Sequence, residues 1–159
     1  MRDRWRLATF DDVADVASRL RKADQEEGWA TLGRDPALFL SLGYDPSRTW
    51  VLFNAKGENV ALAGVAKTKE DGVGQVWMVA TDLLEKHSIE FLKHTPRFID
   101  MLHEEYPLLF NWVDARNTVH LKWLKWCGFS FIQRHEKWGP LGLPFYTFVR
   151  IKSPCASSH

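Results

Sequence analysis

The stretch NTVHLKWLKWCGF, residues 117–129, carries both the start and the stop signal of a short helix. Asn117 has a side chain able to accept a hydrogen bond from an orphan amide of a first turn. Gly128 permits the positive φ on which such helices end. Between them Val119, His120, Trp123, Leu124, Trp126 and Cys127 share one broad arc at 3.6-residue spacing, with Thr118, Lys122 and Lys125 opposite. The spacing predicts a helix that buries a ring-rich face. On its two sides LLFNWV (108–113) and FSFIQRH (129–135) read as strands, so the passage is a strand–helix–strand crossover.

Working outward, Trp5 to Phe10 alternate as a strand and lead into DDVADVASRLRKADQEE. There Val13, Val16, Ala17 and Leu20 recur at helical spacing behind Asp11. DPALFLSLGYD predicts a second helix, with Asp35 as its cap and Pro36 at the first helical position. TWVLFNAKGENVALAGVAKT reads as two strands joined at Lys56–Asn59, and GQVWMVATD as a third. HSIEFLKHTPRFIDMLHEEY returns to helical spacing with Phe91, Thr95, Phe98 and Leu102 on one stripe; Pro96 predicts a kink or a restart capped by Thr95. FYTFVRI is the last strand.

The expected order is β-α-α-β-β-β-α-β-α-β-β. It describes an α/β fold with a mixed, mostly antiparallel sheet of six to seven strands flanked by about four helices. Residues 1–152 are expected to form a single domain and 153–159 a frayed tail.

A chain of 159 residues with a hydrophobic fraction of 45% and an aromatic fraction of 13% is globular. Eight tryptophans predict a core or groove built of rings. With 21 basic and 20 acidic residues the net charge is +1, which gives no global attraction to nucleic acid. Cys127 and Cys155 are expected to be free thiols in a reducing compartment. No CxxC or HxxxH spacing points to a metal. MRDRWRLATF lacks the apolar run of a signal peptide, and no window is apolar long enough to span a membrane, so a cytoplasmic chain is expected.

The order of elements, together with LLFNWVDARNTVHLKWLKWCGFSFI, resembles the GNAT superfamily of acyl-CoA-dependent N-acetyltransferases. In that family a strand is followed by Asn, a short helix and a Gly-Phe pair; Asn117, Gly128 and Phe129 stand in those places. The same passage with FYTFVRI resembles the small GNAT-like proteins of short-tailed phages, some of them internal virion proteins. The resemblance implies a splayed strand pair admitting the pantetheine arm of acetyl-CoA as co-substrate, with Asn117 near the cofactor. It also implies an amine acceptor, on a small molecule or a protein, and a homodimer formed through the last strands. If the chain is phage-encoded, its place is the host cytoplasm or the virion.

Acetyl transfer needs a proton acceptor, an oxyanion donor and a seat for the coenzyme's diphosphate. Asp114 and His120 are the catalytic candidates; equally, Asp114 reads as a turn residue and His120 as a hydrogen-bonded core histidine. A backbone amide among Met78, Val79 and Ala80 is the expected oxyanion donor. Lys86, His87 and Ser88 are the candidates for the diphosphate, with Ser88 as a helix cap. The loop VATDLLEKHSIEF departs from the family in three ways. It has no glycine, Glu85 stands where a cation or amide belongs, and Ser88 and Glu90 replace small residues. Leu124 also stands where many members carry an acidic tyrosine. These departures leave open a second reading, a catalytically degenerate GNAT-fold protein with a structural or interaction role.

Overall fold

The computed structural model describes residues 4–153; Cys155 and nearly all of the expected tail lie outside them. Chain order is β1 (Trp5–Leu7), α1 (Phe10–Ala17), α2 (Lys22–Leu32), α3 (Pro36–Leu42), β2 (Thr49–Phe53), β3 (Asn59–Lys67), β4 (Val73–Ala80), α4 (Leu83–Lys86), α5 (Ser88–Leu102), β5 (Leu108–Asp114), α6 (Thr118–Trp126), β6 (Ser130–Trp138) and β7 (Leu143–Ile151). The strands form one sheet in the order β1-β2-β3-β4-β5-β7-β6. Among the described residues, only β4 and β5 pair in parallel.

The single helix expected behind Asp11 is two. Thr9 starts α1 through a capping box with Asp12, whose carboxylate also takes Arg6. The chain then breaks helix at Leu20 and Arg21, which lie against the end of β4: Leu20 bridges Thr81, and the Arg21 amide donates to the Ala80 carbonyl at 2.8 Å. Asp35 caps α3 by accepting from the Ala37 amide, as Pro36 at its first position requires of a tidy start. The β2–β3 turn is held by the Asn54 side chain, which accepts from the amides of Lys56 and Glu58 around Gly57 at φ +81°.

Pro96 does not restart its helix; α5 runs unbroken through it. Proline has no N–H for the carbonyl four residues back, which here belongs to Leu92. The Trp126 indole N–H donates to that carbonyl at 3.1 Å, so a side chain of α6 replaces the missing backbone bond. Thr95, the expected cap, instead takes the Trp5 indole N–H. Trp126 is therefore 65% exposed and bridges two helices, and Val119 is exposed as well; the buried face of α6 is narrower than its sequence arc, with His120, Trp123, Leu124 and Cys127 inside.

The sheet carries core on both faces. Toward α5 and α6 lie Phe98, Leu102, Leu109, Val113, Leu124 and Phe148. Toward α1 and α3 lie Val13, Val16, Val51 and Leu62. Gly64 is required by this packing, because a Cβ there would stand 2.4 Å from the Trp77 indole laid across β3.

β4 and β5 pair only at Val73–Gln75 with Leu108–Phe110, while their outer partners continue to Ala80 and Asp114. Beyond Gln75 and Phe110 the two strands part. Asn111 sits at the apex: its amide group donates to the Val76 carbonyl, and its oxygen accepts from Gln75 at 3.1 Å and from the Trp112 amide at 2.8 Å. One side chain thus ends the ladder and satisfies the backbone it interrupts. Asn111→Ala leaves the Val76 carbonyl and the Gln75 amide without partners, and the expected loss in urea unfolding is about 1–3 kcal/mol with an unchanged m-value. A loss below about 0.5 kcal/mol would mean that the fork is not pinned there.

Candidate functional site

Helix α2 crosses the open end of the fork. Asp24 and Glu27 are one turn apart and face the same side. Asp24 accepts from the Ala80 amide of β4 at 2.8 Å, and Glu27 accepts from the Asp114 amide of β5 at 3.0 Å. Asp24 is itself clasped by Arg21 through two nitrogens, each at 3.1 Å, and Arg21 lies over the Trp123 ring at 5.0 Å. A cavity of about 360 Å³ opens behind this bridge. Its walls come from both faces of the sheet, joined through the fork: Trp77, Leu40 and Tyr44 on one side, Met78, Phe98 and Leu124 on the other.

The fork-facing backbone of β4 can be accounted for group by group. Antiparallel alternation places Gly74, Val76, Met78 and Ala80 with their polar groups away from β3, and the ladder bond from the Thr81 amide to the Val60 carbonyl fixes that parity. Val76 is taken by Asn111. Ala80 is taken twice, its amide by Asp24 and its carbonyl by Arg21. Val79 has the opposite parity, so its amide serves the ladder to β3. Of the three sequence candidates for an oxyanion donor, Met78 alone presents an amide to the gap with no strand opposite it.

The loop after β4 does not make an open cradle. Without a glycine to take positive φ, residues 83–86 coil into the short helix α4. The amides of Leu83, Leu84 and His87 are bonded inward, to Thr81 Oγ1, the Thr81 carbonyl, and the Leu83 and Leu84 carbonyls. Ser88 is the first residue of α5 and makes no side-chain cap; the expected cap is corrected to His87, whose ring meets Asn54 at 3.4 Å. Glu85 reaches toward Arg21 at 4.0 Å, and Lys86 ends the turn. The amides of Leu83, Leu84 and His87 and the Ala80 edge are therefore satisfied within the chain and are not open to the diphosphate or pantetheine of acetyl-CoA.

Asp114 and His120 are not brought together as an acid–base pair. The Asp114 carboxylate is buried under Arg116, which approaches both of its oxygens at 2.6–3.1 Å, so it is locked in a turn. Asn117 caps α6 by accepting from the His120 amide at 3.4 Å. His120 lines the cavity with its Nδ1 lacking a hydrogen-bond partner. Its neighbour is Glu27, whose Oε2 lies 3.9 Å from that nitrogen. Burial lowers the His120 imidazole to about 4, and burial raises the Glu27 carboxyl to about 8, with the Asp114 amide opposing and the charges of Asp24 and Asp114 adding to the rise. The Glu27 side chain is 17% exposed and lines the cavity. Burial also pushes the Cys127 thiol up to about 12, so it is unreactive packing.

Glu27 is the site residue that sequence reasoning missed. It stands in RKADQEEGWATLGRD, where charges of both signs hide its direction. The available signal was Asp24 and Glu27 at i,i+3, immediately before Gly28, whose Cβ would meet Pro36 at 2.4 Å. Among the described residues no group of side chains is arranged to hold a metal ion, and no helix is long and apolar enough to cross a membrane.

The Glu27 shift has a stability consequence. A carboxyl raised from 4.5 to about 8 favours the fold fully below about pH 4.5 and loses that contribution as pH rises through about 8. Glu27→Gln has no charge to desolvate and can still accept from Asp114. It is expected to gain stability relative to the parent between about pH 5 and about pH 8.5, measured by urea unfolding at both. A difference that does not change with pH would place the Glu27 carboxyl in ordinary solvent.

Solved structures with the same architecture include acetyltransferases. A GCN5-related N-acetyltransferase from Kribbella flavida is 18% identical with a TM-score of 0.71, over 92% of this chain and 96% of that chain. AAC(6')-Ib, solved with ribostamycin and coenzyme A, is 16% identical with a TM-score of 0.70, over 93% and 92%. Ard1 from Thermoplasma volcanium is 16% identical with a TM-score of 0.68, over 94% and 97%. At these identities the likeness is one of fold, and the chain has the GNAT fold. No curated protein sequence matches it. A family model described as "Bacteriophage T7, probable scaffold protein Gp13" matches residues 49–136, from the start of β2 into β6. That match takes in more than half of the chain and both strands of the fork, and the protein belongs to this phage family.

Proposed function

We propose that this is a phage protein on a GNAT fold that works by binding other proteins during assembly or within the particle, not by acyl transfer. The observation that carries the reading is the Ala80 edge of β4. Its amide and carbonyl face the fork, where an extended amide-bearing ligand would add as a pseudo-strand, and both are held by the chain's own α1–α2 segment. The self-bonded loop at residues 83–87 and the printed description of the family support the same reading. We take residues 1–152 as one domain with a short tail, acting in the host cytoplasm or the virion. β6, at the outer edge of the sheet, is where a second copy would join by strand addition.

The competing reading is acetyl transfer from acetyl-CoA to an amine of a small molecule or protein. It draws on the fork itself and on the Met78 amide, with His120 nearby and Lys86, His87 and Asn117 toward the coenzyme. Titration of the full chain with acetyl-CoA to millimolar concentration separates the two. The expected result is no saturable heat and no rise in melting temperature. Saturable binding displaced by coenzyme A, with amine-dependent release of free thiol, would establish the enzymatic reading instead.

A further inference from the structure

The polar end of the cavity brings together two ionisable groups, Glu27 and His120, with no direct bond between them. Every other buried carboxylate there has a cation: Asp24 has Arg21, and Asp114 has Arg116. Glu27 has none. Its Oε1 is taken by the Asp114 amide, the Asn117 side chain also stands against the carboxyl, and its Oε2 lies 3.9 Å from His120 Nδ1, too far for a hydrogen bond between them. His120 is 7% exposed, and that nitrogen has no partner. Unpaired polar atoms in a buried residue cost free energy and call for a ligand or an ordered partner.

The chemistry of the gap restricts what can fill it. With its carboxyl held up to about 8 and the imidazole held down to about 4, the pair is uncharged near neutral pH. A protonated Glu27 offers an O–H, and a neutral imidazole offers an acceptor nitrogen. A ligand hydroxyl can accept from the first and donate to the second; a carboxamide can do the same with its two ends. An ammonium would first have to ionise Glu27, whose carboxyl is held protonated by burial. A hydrocarbon would leave the His120 nitrogen unsatisfied. The remaining walls are apolar and aromatic, led by Trp77, Trp112, Met78 and Leu124, and the volume falls at the small end of the range of about 300–1,000 Å³ for ligand pockets.

We propose that this cavity binds a small uncharged molecule, with an apolar body and one terminal hydroxyl or carboxamide that bridges Glu27 and His120. The site lies beneath the middle of α2 and uses neither Ala80 nor the loop after β4.

The test uses the full chain and four probes with one aromatic body: phenethyl alcohol, hydrocinnamamide, phenethylamine and ethylbenzene. Binding is followed by the ring-nitrogen resonances of His120 and by melting temperature. The alcohol and the amide are expected to bind saturably near pH 7, each about tenfold more tightly than the amine and the hydrocarbon, and to shift His120. Glu27→Leu is expected to lose about tenfold in alcohol affinity while keeping its circular dichroism, and Glu27→Gln less. Absence of saturable binding by both polar probes overturns the proposal, as does tighter binding of the amine or hydrocarbon. An unmoved His120 resonance on saturation does so in the parent protein, independently of whether any variant folds.

Discussion

The fork between β4 and β5 exists because α2 holds it open from the far end. A parallel pair that separates after three rungs would expose backbone groups on both inner edges, and buried backbone groups without partners are costly. Two carboxylates one helical turn apart solve this together. Asp24 binds β4 and Glu27 binds β5. Asn111 does the complementary work at the apex. With both ends fixed, the space between becomes a cavity of stable width that is neither a collapsed seam nor an open cleft. The Arg21 pairing of Asp24 and its contact with Trp123 tie the clamp to α6, so the two sides of the opening share one buried network.

The same network gives α5 and α6 a common frame. Pro96 would ordinarily weaken a helix in its middle. Here the carbonyl it orphans is claimed by Trp126, so the defect in one helix becomes the attachment point of the other. This explains an exposed tryptophan whose ring adds little to the core: its contribution is one directed hydrogen bond. Trp5 performs a related task, donating to Thr95 and stacking on Phe98 with ring centroids 4.4 Å apart.

Local chemistry was legible in the sequence where a residue decides its own backbone. Asp35 with Pro36, the Lys56–Asn59 turn, Asn117 and Gly128 all act within a few residues, and each stands where it was read. The GNAT order of elements was legible for the same reason, since turns and periodicity separate the strands. What was not legible depends on partners distant in the chain. Pro96 could not be known to be harmless without Trp126, thirty positions away. The break at Leu20 and Arg21 is made by Ala80 and Thr81. Glu27 is indistinguishable from a solvated charge until β5 is placed beside it, and Asp114 is a plausible base until Arg116 closes over it. Of the amides from Met78 to Ala80, the alternation of one ladder and one remote carboxylate select Met78.

The clamp and the coiled loop act on one ligand class from two directions, and their causes are independent. The loop closes because it lacks a residue able to take positive φ, a property of its own sequence. The Ala80 edge is covered because residues before β2 fold back on it, outside the region shared with the T7 family model. Restoring a glycine to the loop would therefore leave the edge occupied, and releasing Asp24 would leave the loop coiled. The fold keeps the mechanical part of the architecture, the pinned gap and the packed aromatic walls, while Ala80 and the amides of Leu83, Leu84 and His87 are bonded within the chain. Among the described residues, Glu27 and His120 come within 3.9 Å of each other where α2, β5 and α6 meet.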